Sequence, residues 1–314
     1  MYETIKELIE QIGITEKNLK ITPITVGASG SEVYEVVNED EMMILKIINL
    51  KSTDSHQCQT FMKEWDFYNR VQDMQIPFIP KVLHIYKNVD YALIIMKSYD
   101  LIKTKDWNQE LQEKVIDLII NVHMLPKTFL PEQRKDKQQE NQEDPKYYYE
   151  AWSKLLSEYQ ESFDTACLES IYRDFDKILN IDAKLPESVV HGDFHLNNIL
   201  YDKEDGRLIL CDWQNVGIGI GTDDISFFVS RGNSDGMNLD DTILLEHYCE
   251  KYSFISGNEI RVADVLTQNA KQTVLVSFMF WHFYLHGAEY ERVKQIYEQM
   301  VKSYEYLREN FSHT

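Results

Sequence analysis

The chain contains 314 residues, of which 43% are hydrophobic and 27% are charged, the balance of an ordinary globular protein. Lysine and arginine number 32 against 52 aspartate and glutamate residues, which gives a formal net charge of −20. Such an acidic surface repels nucleic-acid phosphates and anionic lipids, so the composition argues against nucleic-acid and membrane partners and favours a cationic ligand.

The cysteines and the apolar segments indicate a cytoplasmic protein. The four cysteines form no Cys-x-x-Cys pair, which favours a reducing compartment over a disulfide framework or structural zinc; they are Cys58, Cys167, Cys211 and Cys249. The N-terminal residues are charged and lack the apolar segment of a secretory signal. The longest uncharged run, residues 272–288, is short for a membrane span and predicts a buried helix. The oligomeric state is not indicated.

The first hundred residues predict a sheet with one inserted helix. Apolar residues at helical spacing predict a helix over residues 3–12, ended by Gly13. Period-two patterns bounded by turn residues predict strands over residues 20–26, 32–37, 42–48, 82–86 and 91–96. A helix is predicted over residues 56–74, between the third and fourth strands. Together these elements predict a five-stranded antiparallel sheet.

The character of the chain changes after residue 99. Helices are predicted over residues 109–125, 147–163 and 168–179 and from residue 240 to the end, with a polar loop over 127–146. A small hairpin, strands 199–201 and 208–211, interrupts them. This order predicts an α+β fold of two lobes, residues 1–98 and 99–314.

Polar residues with chemical potential cluster around this hairpin. Residues 189–200 read Val-Val-His-Gly-Asp-Phe-His-Leu-Asn-Asn-Ile-Leu, so apolar pairs flank a polar loop. The carboxylate of Asp193 can accept a hydroxyl proton, and the amide oxygen of Asn198 can ligate Mg²⁺. Asp212 ends a buried strand, where a carboxylate needs a cation. Because the hairpin folds Asp212 back towards Asn198, we expect the three side chains to converge.

A second group of candidate residues lies in the predicted sheet. Lys46 sits inside an apolar strand and needs an anionic partner. Between the first two strands, residues 27–31 read Gly-Ala-Ser-Gly-Ser, in which glycine amides and the hydroxyls of Ser29 and Ser31 can approach phosphate oxygens.

The motif His191-Gly-Asp-x4-Asn, followed by a strand that ends in Asp212, resembles the catalytic and metal-binding loops of the aminoglycoside phosphotransferase and choline kinase-like family of small-molecule kinases. The resemblance implies a protein-kinase-like fold. It further implies that Asp193 is the catalytic base or hydroxyl orienter and that Asn198 and Asp212 hold Mg²⁺ under the nucleotide phosphates. His191 would be structural.

The same resemblance assigns roles in both lobes. Residues 1–98 would bind the nucleotide, and residues 99–314 would carry catalysis and the acceptor site. Lys46 would bind phosphate and be oriented by Glu64, with Asp66 as the rival partner. The other implied roles are nucleotide contacts from Ser29 and Ser31, adenine contacts from the backbone near Lys97 and Tyr99, a packing role for His123, and a helix cap at Asp224 that braces the catalytic loop.

The expected function is ATP- and Mg²⁺-dependent transfer of the γ-phosphate to a hydroxyl of a small molecule. An aminoglycoside would suit the acidic chain, while choline, amino-alcohol and sugar acceptors, and GTP as donor, stay open. A protein kinase is disfavoured because Asp212-Trp213-Gln214 replaces Asp-Phe-Gly. A nucleotide-binding pseudokinase is disfavoured by the complete residue set. A metallohydrolase would use His191, Asp193, His195 and Asp212, and its further ligands are not evident in the sequence.

Overall fold

The computed structural model describes residues 2–14, 19–24, 31–39, 41–131, 144–159, 163–182, 184–237 and 239–310. The chain forms two compact units. The first comprises Met1–Gln133 and Glu187–Leu244, and the second comprises Arg134–Pro186 and Leu245–Thr314. The predicted boundary between residues 98 and 99 lies within the first unit, and the assignment of nucleotide and acceptor lobes to its two sides stays a prediction.

The first unit contains the predicted antiparallel sheet. Its strands, in chain order, are β1 (Lys20–Ile24), β2 (Glu32–Asn38), β3 (Glu41–Asn49), β4 (Val82–Lys87) and β5 (Tyr91–Lys97). Their spatial order is β1-β2-β3-β5-β4, and every neighbouring pair is antiparallel. Helix α1 (Tyr2–Gln11) precedes the sheet, and α2 (Ser55–Val71) is inserted between β3 and β4. The five-stranded sheet and its inserted helix are therefore as predicted.

Side-chain alternation along β3 separates the core from the candidate site. Met43, Leu45 and Ile47 are buried in one apolar cluster with Ile5 and Ile9 of α1. Since successive side chains of a strand point to opposite faces, Lys46 lies on the other face of the sheet.

A cap fixes the start of helix α2. The Asp54 carboxylate accepts hydrogen bonds from the backbone N–H groups of His56 and Gln57 at the helix N-terminus. A 3₁₀ turn, Gln72–Met74, completes the stretch that the sequence predicts as helix.

Further short strands complete the first unit. They are β6 (Asp100–Leu101), β7 (Glu187–Val190), β8 (Ile199–Asp202), β9 (Arg207–Leu210) and β10 (Gly217–Ile220), accompanied by helices α3 (Gln109–His123) and α6 (Thr222–Ser234). β8 and β9 form the predicted hairpin, and β6 joins it to make a three-stranded sheet.

The second small sheet, β7 with β10, was missed by the sequence reasoning, which expected only one hairpin in this region. Both strands have only four residues, and the glycines of β10 are typical of a loop. Gly219 has a packing reason, because a Cβ atom there would lie 3.2 Å from the Val190 side chain on the paired strand.

The second unit is helical, as the sequence predicts. It contains α4 (Pro145–Ser157), α5 (Ala166–Leu179), most of α7 (Asp241–Ser256), α8 (Val262–Val276), α9 (His282–Tyr284) and α10 (Tyr290–Asn310). Its apolar core includes Trp152, Leu168, Phe278 and Tyr304.

The uncharged run 272–288 is helical over most of its length, with a π-helical turn at Ser277–Trp281. The expectation of a wholly buried helix was wrong, because Phe280, Phe283 and Tyr284 are exposed while Val274 and Phe278 pack in the core. In the described parts of the chain, no helix has the length and apolar content needed to span a bilayer.

Candidate active site

A buried lysine held by two carboxylates forms the centre of the site. Lys46 Nζ, on β3, donates to the two carboxylate oxygens of Glu64 at 2.9 and 3.0 Å and to Asp212 Oδ1 at 2.9 Å. Burial alone would lower the pKa of Lys46, but the Glu64 and Asp212 carboxylates raise it well above its ordinary value. The lysine is therefore charged at neutral pH and is the cation of a buried ion cluster.

The buried face of α2 carries Glu64 and not Asp66, the other candidate partner of Lys46. Phe61, Glu64 and Tyr68 follow at spacings of three and four residues on the buried face of α2, and Glu64 is only 2% exposed. Asp66 lies on the solvent side of the same helix and is exposed. The partner of Lys46 is thus Glu64.

Aromatic packing holds Asp212 in an uncommon backbone conformation. Asp212 has φ of 66°, a left-handed conformation that costs a non-glycine residue roughly 1–3 kcal/mol unless its surroundings hold it. Next to it, the ring of Trp213 is fully buried, stacks on Phe67 at 4.5 Å between centroids and meets His191 edge-on at 4.9 Å. The Trp213 indole also donates to the Leu210 carbonyl at 2.7 Å. These contacts anchor the segment that presents Asp212.

The predicted catalytic loop brings Asp193 and Asn198 together. Asn198 Nδ2 donates to the Asp193 carbonyl at 2.9 Å and lies 3.4 Å from Asp193 Oδ2. A hydrogen bond with the His195 ring is the main reason that the pKa of Asp193 is lowered. Because the Asp193 carboxylate is ionised at neutral pH, it can accept a proton.

The hairpin connects this loop to the lysine cluster. The backbone N–H of Cys211 donates to the Asn198 carbonyl at 2.9 Å, and Cys211 directly precedes Asp212. The His191 Nε2 atom donates to the Cys211 carbonyl at 3.0 Å. Asp193, Asn198 and Asp212 therefore belong to one hydrogen-bonded arrangement.

A carboxylate braces the catalytic loop from behind. Asp224 accepts from the backbone N–H of His191 at 2.7 Å and from that of Gly192 at 2.9 Å, and its Oδ2 lies 3.4 Å from His123 Nε2. Burial alone would raise the pKa of Asp224, but its hydrogen bonds with His123 and His191 and their charges lower it.

The bracing role of Asp224 agrees with the expectation, whereas the capping role was wrong. The N-cap residue of α6 is Gly221, and Asp224 occupies the third helical position. Its side chain is turned to the catalytic loop because two backbone N–H groups there donate hydrogen bonds to its two carboxylate oxygens.

The segment predicted to bind adenine is held by neighbouring groups. The backbone N–H of Lys97 donates to the Lys81 carbonyl at 3.0 Å, and the Tyr99 hydroxyl accepts from the Lys81 N–H at 3.0 Å. The Lys97 ammonium pairs with Asp202 and Glu204. The adenine contacts of this segment stay a prediction.

The serine loop is described only in part. Ser29 lies outside the described residues, whereas Ser31 is half-buried directly before β2. The nucleotide contacts of both serines stay a prediction.

The donor set suits a hard divalent cation. Asn198 directs its amide nitrogen to Asp193, which leaves its Oδ1 pointing elsewhere, and Asp212 uses Oδ1 for Lys46. In the described parts of the chain, neither Asn198 Oδ1 nor Asp212 Oδ2 takes part in a hydrogen bond. Mg²⁺ is commonly bound by one or two protein oxygens together with substrate phosphates and water. The residues present therefore fit a magnesium ion.

Comparison with known proteins identifies the family of the chain. The model of the phosphotransferase enzyme family matches residues 20–258, more than half of the chain. The chain belongs to this family, and its class is that of the small-molecule kinases. No curated protein matches the chain in sequence.

Solved structures show the same fold at low sequence identity. One is a protein from Ralstonia eutropha JMP134 assigned to the aminoglycoside phosphotransferases, with 13% identity, 98% of each chain covered and a TM-score of 0.66. Another is the ethanolamine kinase of Plasmodium vivax, with 12% identity, 96% of this chain and 87% of that chain covered and a TM-score of 0.58. A spectinomycin phosphotransferase in complex with ADP and spectinomycin has 14% identity, 96% of each chain covered and a TM-score of 0.52. The predicted α+β, protein-kinase-like fold is confirmed.

Two residues of the site escaped the sequence reasoning. Cys211 ties the hairpin to Asn198 through its backbone N–H and its thiol, whose Sγ lies 3.3 Å from the Asn198 carbonyl oxygen. Burial raises the pKa of Cys211 to about 12, so the thiol stays neutral. Trp213 anchors Asp212. A buried aromatic residue directly after a functional carboxylate was the available signal for Trp213, while nothing in the sequence distinguishes Cys211.

Gly192 offers a test of steric packing in the catalytic loop. It has φ of +78°, and a Cβ atom there would lie 2.8 Å from the Asn215 carbonyl oxygen. Gly236 has φ of +84°, and no described atom lies within 4 Å of an added Cβ, so it serves as the matched control. Gly236→Ala is expected to lower the free energy of unfolding by about 1–2 kcal/mol, the cost of left-handed backbone alone. Gly192→Ala should lower the free energy of unfolding by about 1–3 kcal/mol more than Gly236→Ala does, because its methyl group overlaps neighbouring atoms.

Urea unfolding of the wild type and both variants measures the difference. Equal decreases in the free energy of unfolding of the two alanine variants would show that the loop accommodates an added methyl group without steric cost.

Proposed function

We propose that this small-molecule kinase transfers the γ-phosphoryl group of ATP to a hydroxyl of an amine-bearing small molecule, with Mg²⁺ as cofactor. The observation that carries the proposal is the connection of the Lys46–Glu64–Asp212 cluster to the Asp193–Asn198 loop through Cys211. One group supplies a buried positive charge and oxygen ligands, and the other supplies an ionised carboxylate.

Nucleotide binding is assigned to the lysine cluster. Lys46 offers its charge to the phosphate oxygens, and Glu64 keeps its ammonium group in place. Asn198 and Asp212 would hold Mg²⁺, which when bound supplies charge stabilisation to the transferring phosphoryl group. Catalysis then rests on positioning and electrostatics.

Proton handling is assigned to Asp193. Its carboxylate accepts or orients the proton of the acceptor hydroxyl as the oxygen forms a bond to the γ-phosphorus atom. The bond from that phosphorus to the β,γ-bridging oxygen breaks, and ADP leaves. The lowered pKa keeps Asp193 ionised, so the carboxylate carries no proton of its own when the acceptor hydroxyl binds.

The acceptor class is supported by the relatives and the charge. The similar structures include an ethanolamine kinase and a spectinomycin phosphotransferase with ADP, and a protein assigned to the aminoglycoside phosphotransferases. A net charge of −20 suits a cationic acceptor. Since surface charge is screened over about 8 Å at physiological salt, a panel must also contain choline and neutral sugars, and GTP as an alternative donor.

The competing functions are less well supported. A metallohydrolase would need His191 as a ligand, but this side chain is buried and its Nε2 bonds to the Cys211 carbonyl. In the described residues, no three His, Cys, Asp or Glu side chains are grouped to hold a metal ion. A pseudokinase would not require the complete set of Lys46, Glu64, Asp193, Asn198 and Asp212. We also propose that the protein acts in the cytoplasm, because its four cysteines are free thiols. The net charge of −20 further supports the proposal that it has no nucleic-acid partner.

Magnesium-dependent nucleotide binding is the first test. ATP with Mg²⁺ at 100 times its Kd should stabilise the folded protein by about 2.7 kcal/mol, visible as a rise in the midpoint of thermal unfolding. Asp212→Asn should remove the magnesium-dependent part of this rise. Asp205→Asn, an exposed substitution in the turn of the same hairpin, is the control and should keep it. The absence of any shift with ATP or GTP at millimolar concentration would contradict the proposal.

Turnover should depend on Asp193. Asp193→Asn removes the proton acceptor and is expected to lower kcat by about 10²–10⁴-fold, the usual contribution of a positioned general base. The variant should keep the thermal shift with Mg²⁺-ATP. ADP release over aminoglycosides, ethanolamine, choline and sugars measures this, with Asp205→Asn again as the control. Full turnover by Asp193→Asn would rule out Asp193 as the catalytic residue.

A further inference from the structure

His195 lies beside the proposed catalytic carboxylate without an assigned role. It precedes the short 3₁₀ turn Leu196–Asn198 in the catalytic loop. Its Nε2 atom is 3.5 Å from Asp193 Oδ1 and 3.3 Å from Asn198 Nδ2. Its Nδ1 atom is buried and has no hydrogen-bond partner in the described parts of the chain. One ring nitrogen of His195 therefore faces two polar groups, and the other faces none.

The orientation of Asn198 is fixed independently of this histidine. Asn198 Nδ2 donates to the Asp193 carbonyl at 2.9 Å, and a carbonyl oxygen can only accept. The amide nitrogen therefore stays on the side of His195. Nε2 of the ring stands between a donor, Asn198 Nδ2, and an acceptor, Asp193 Oδ1.

The lack of a partner at Nδ1 indicates which ring nitrogen of His195 carries the hydrogen. A hydrogen on Nδ1 would be a buried N–H without an acceptor among the described residues, which is unfavourable. A hydrogen on Nε2 instead has an acceptor within reach, because Asp193 Oδ1 lies 3.5 Å from Nε2, and hydrogen bonds to charged acceptors are the stronger ones. The favoured form of the neutral ring thus carries its hydrogen on Nε2 and donates to Asp193.

We propose that His195 is a positioning residue for phosphoryl transfer, which fixes the rotation of the Asp193 carboxylate through a hydrogen bond from Nε2 to Oδ1. This proposal rests on the proposed function of the same site. With Oδ1 held, the carboxylate presents Oδ2 in one orientation to the acceptor hydroxyl. Asn198 Nδ2, 3.4 Å from Oδ2, limits the rotation from the other side.

The consequence is an effect on the chemical step alone. Loss of the Nε2 donor lets the carboxylate rotate, so fewer encounters have the proton acceptor in line with the hydroxyl. Asn198 and Asp212 keep their positions, because Asn198 Nδ2 is held by the Asp193 carbonyl and Asp212 Oδ1 by Lys46. Nucleotide binding and the magnesium requirement should not change.

Two substitutions of His195 test this. His195→Leu keeps the approximate shape and removes the donor, while His195→Gln places an amide N–H at similar reach. His56→Leu, an exposed histidine on α2, is the matched control. Each variant is assayed by ADP release from Mg²⁺-ATP with the acceptor that supports the highest wild-type turnover. The readouts are kcat, the KM for ATP, the Mg²⁺ concentration for half-maximal rate and the midpoint of thermal unfolding.

We expect kcat to fall about ten- to a hundredfold in His195→Leu and to recover to within a few-fold in His195→Gln, with the other readouts unchanged. An unchanged kcat in His195→Leu overturns the proposal. Equal losses in the leucine and glutamine variants also overturn it, since they indicate a packing role. A changed magnesium requirement overturns it by showing that His195 acts through Asn198. If the wild type releases no ADP with any acceptor, the proposed function fails first, and this inference fails with it.

Discussion

The site depends on one buried ion cluster, the ammonium group of Lys46 held by the carboxylates of Glu64 and Asp212. A strand, a helix and the residue after a hairpin must all be correctly placed before these three groups meet at 2.9 Å. Both carboxylates pair with the one ammonium group, so the cluster alone offers little positive charge to phosphate. Under the proposed function, a divalent cation on Asp212 would supply that charge together with the nucleotide. Breaking such a pair by removing one partner leaves an uncompensated buried charge.

The rest of the first unit holds Asp193 and Asn198 in place relative to that cluster. Backbone groups make most of the connections: Cys211 N–H to the Asn198 carbonyl, and His191 and Gly192 N–H to Asp224. Because backbone atoms move less freely than long side chains, the loop has few alternative positions. The aromatic contacts of Trp213 fix the Asp212 backbone in the same way. A site that works by positioning and electrostatics needs this rigidity.

Much of the fold follows from local sequence patterns, and the limits of prediction are physical. Alternation along β3 indicates a core face and places Lys46 opposite it, and the turn residues mark the hairpin that returns Asp212 to Asn198. Whether Glu64 or Asp66 pairs with Lys46 depends on which face of α2 is buried, and the structure shows that the buried face carries Glu64. The pairing of β7 with β10 joins residues far apart in the chain, so no local pattern reveals it. Asp224 looked like a helix cap because its actual partners, two backbone N–H groups of another segment, have no sequence signal.

The most direct test of the account is the affinity of Lys46→Met for ATP, measured by isothermal titration calorimetry with and without Mg²⁺. Lys51→Met, which removes an exposed lysine just beyond the end of the same strand, is the control. The wild type and the control are expected to bind ATP tightly with Mg²⁺ and much more weakly without it, whereas Lys46→Met should bind more weakly than the control in each condition. Equal affinity of Lys46→Met and the control would contradict the claim that this ion cluster is the phosphate site.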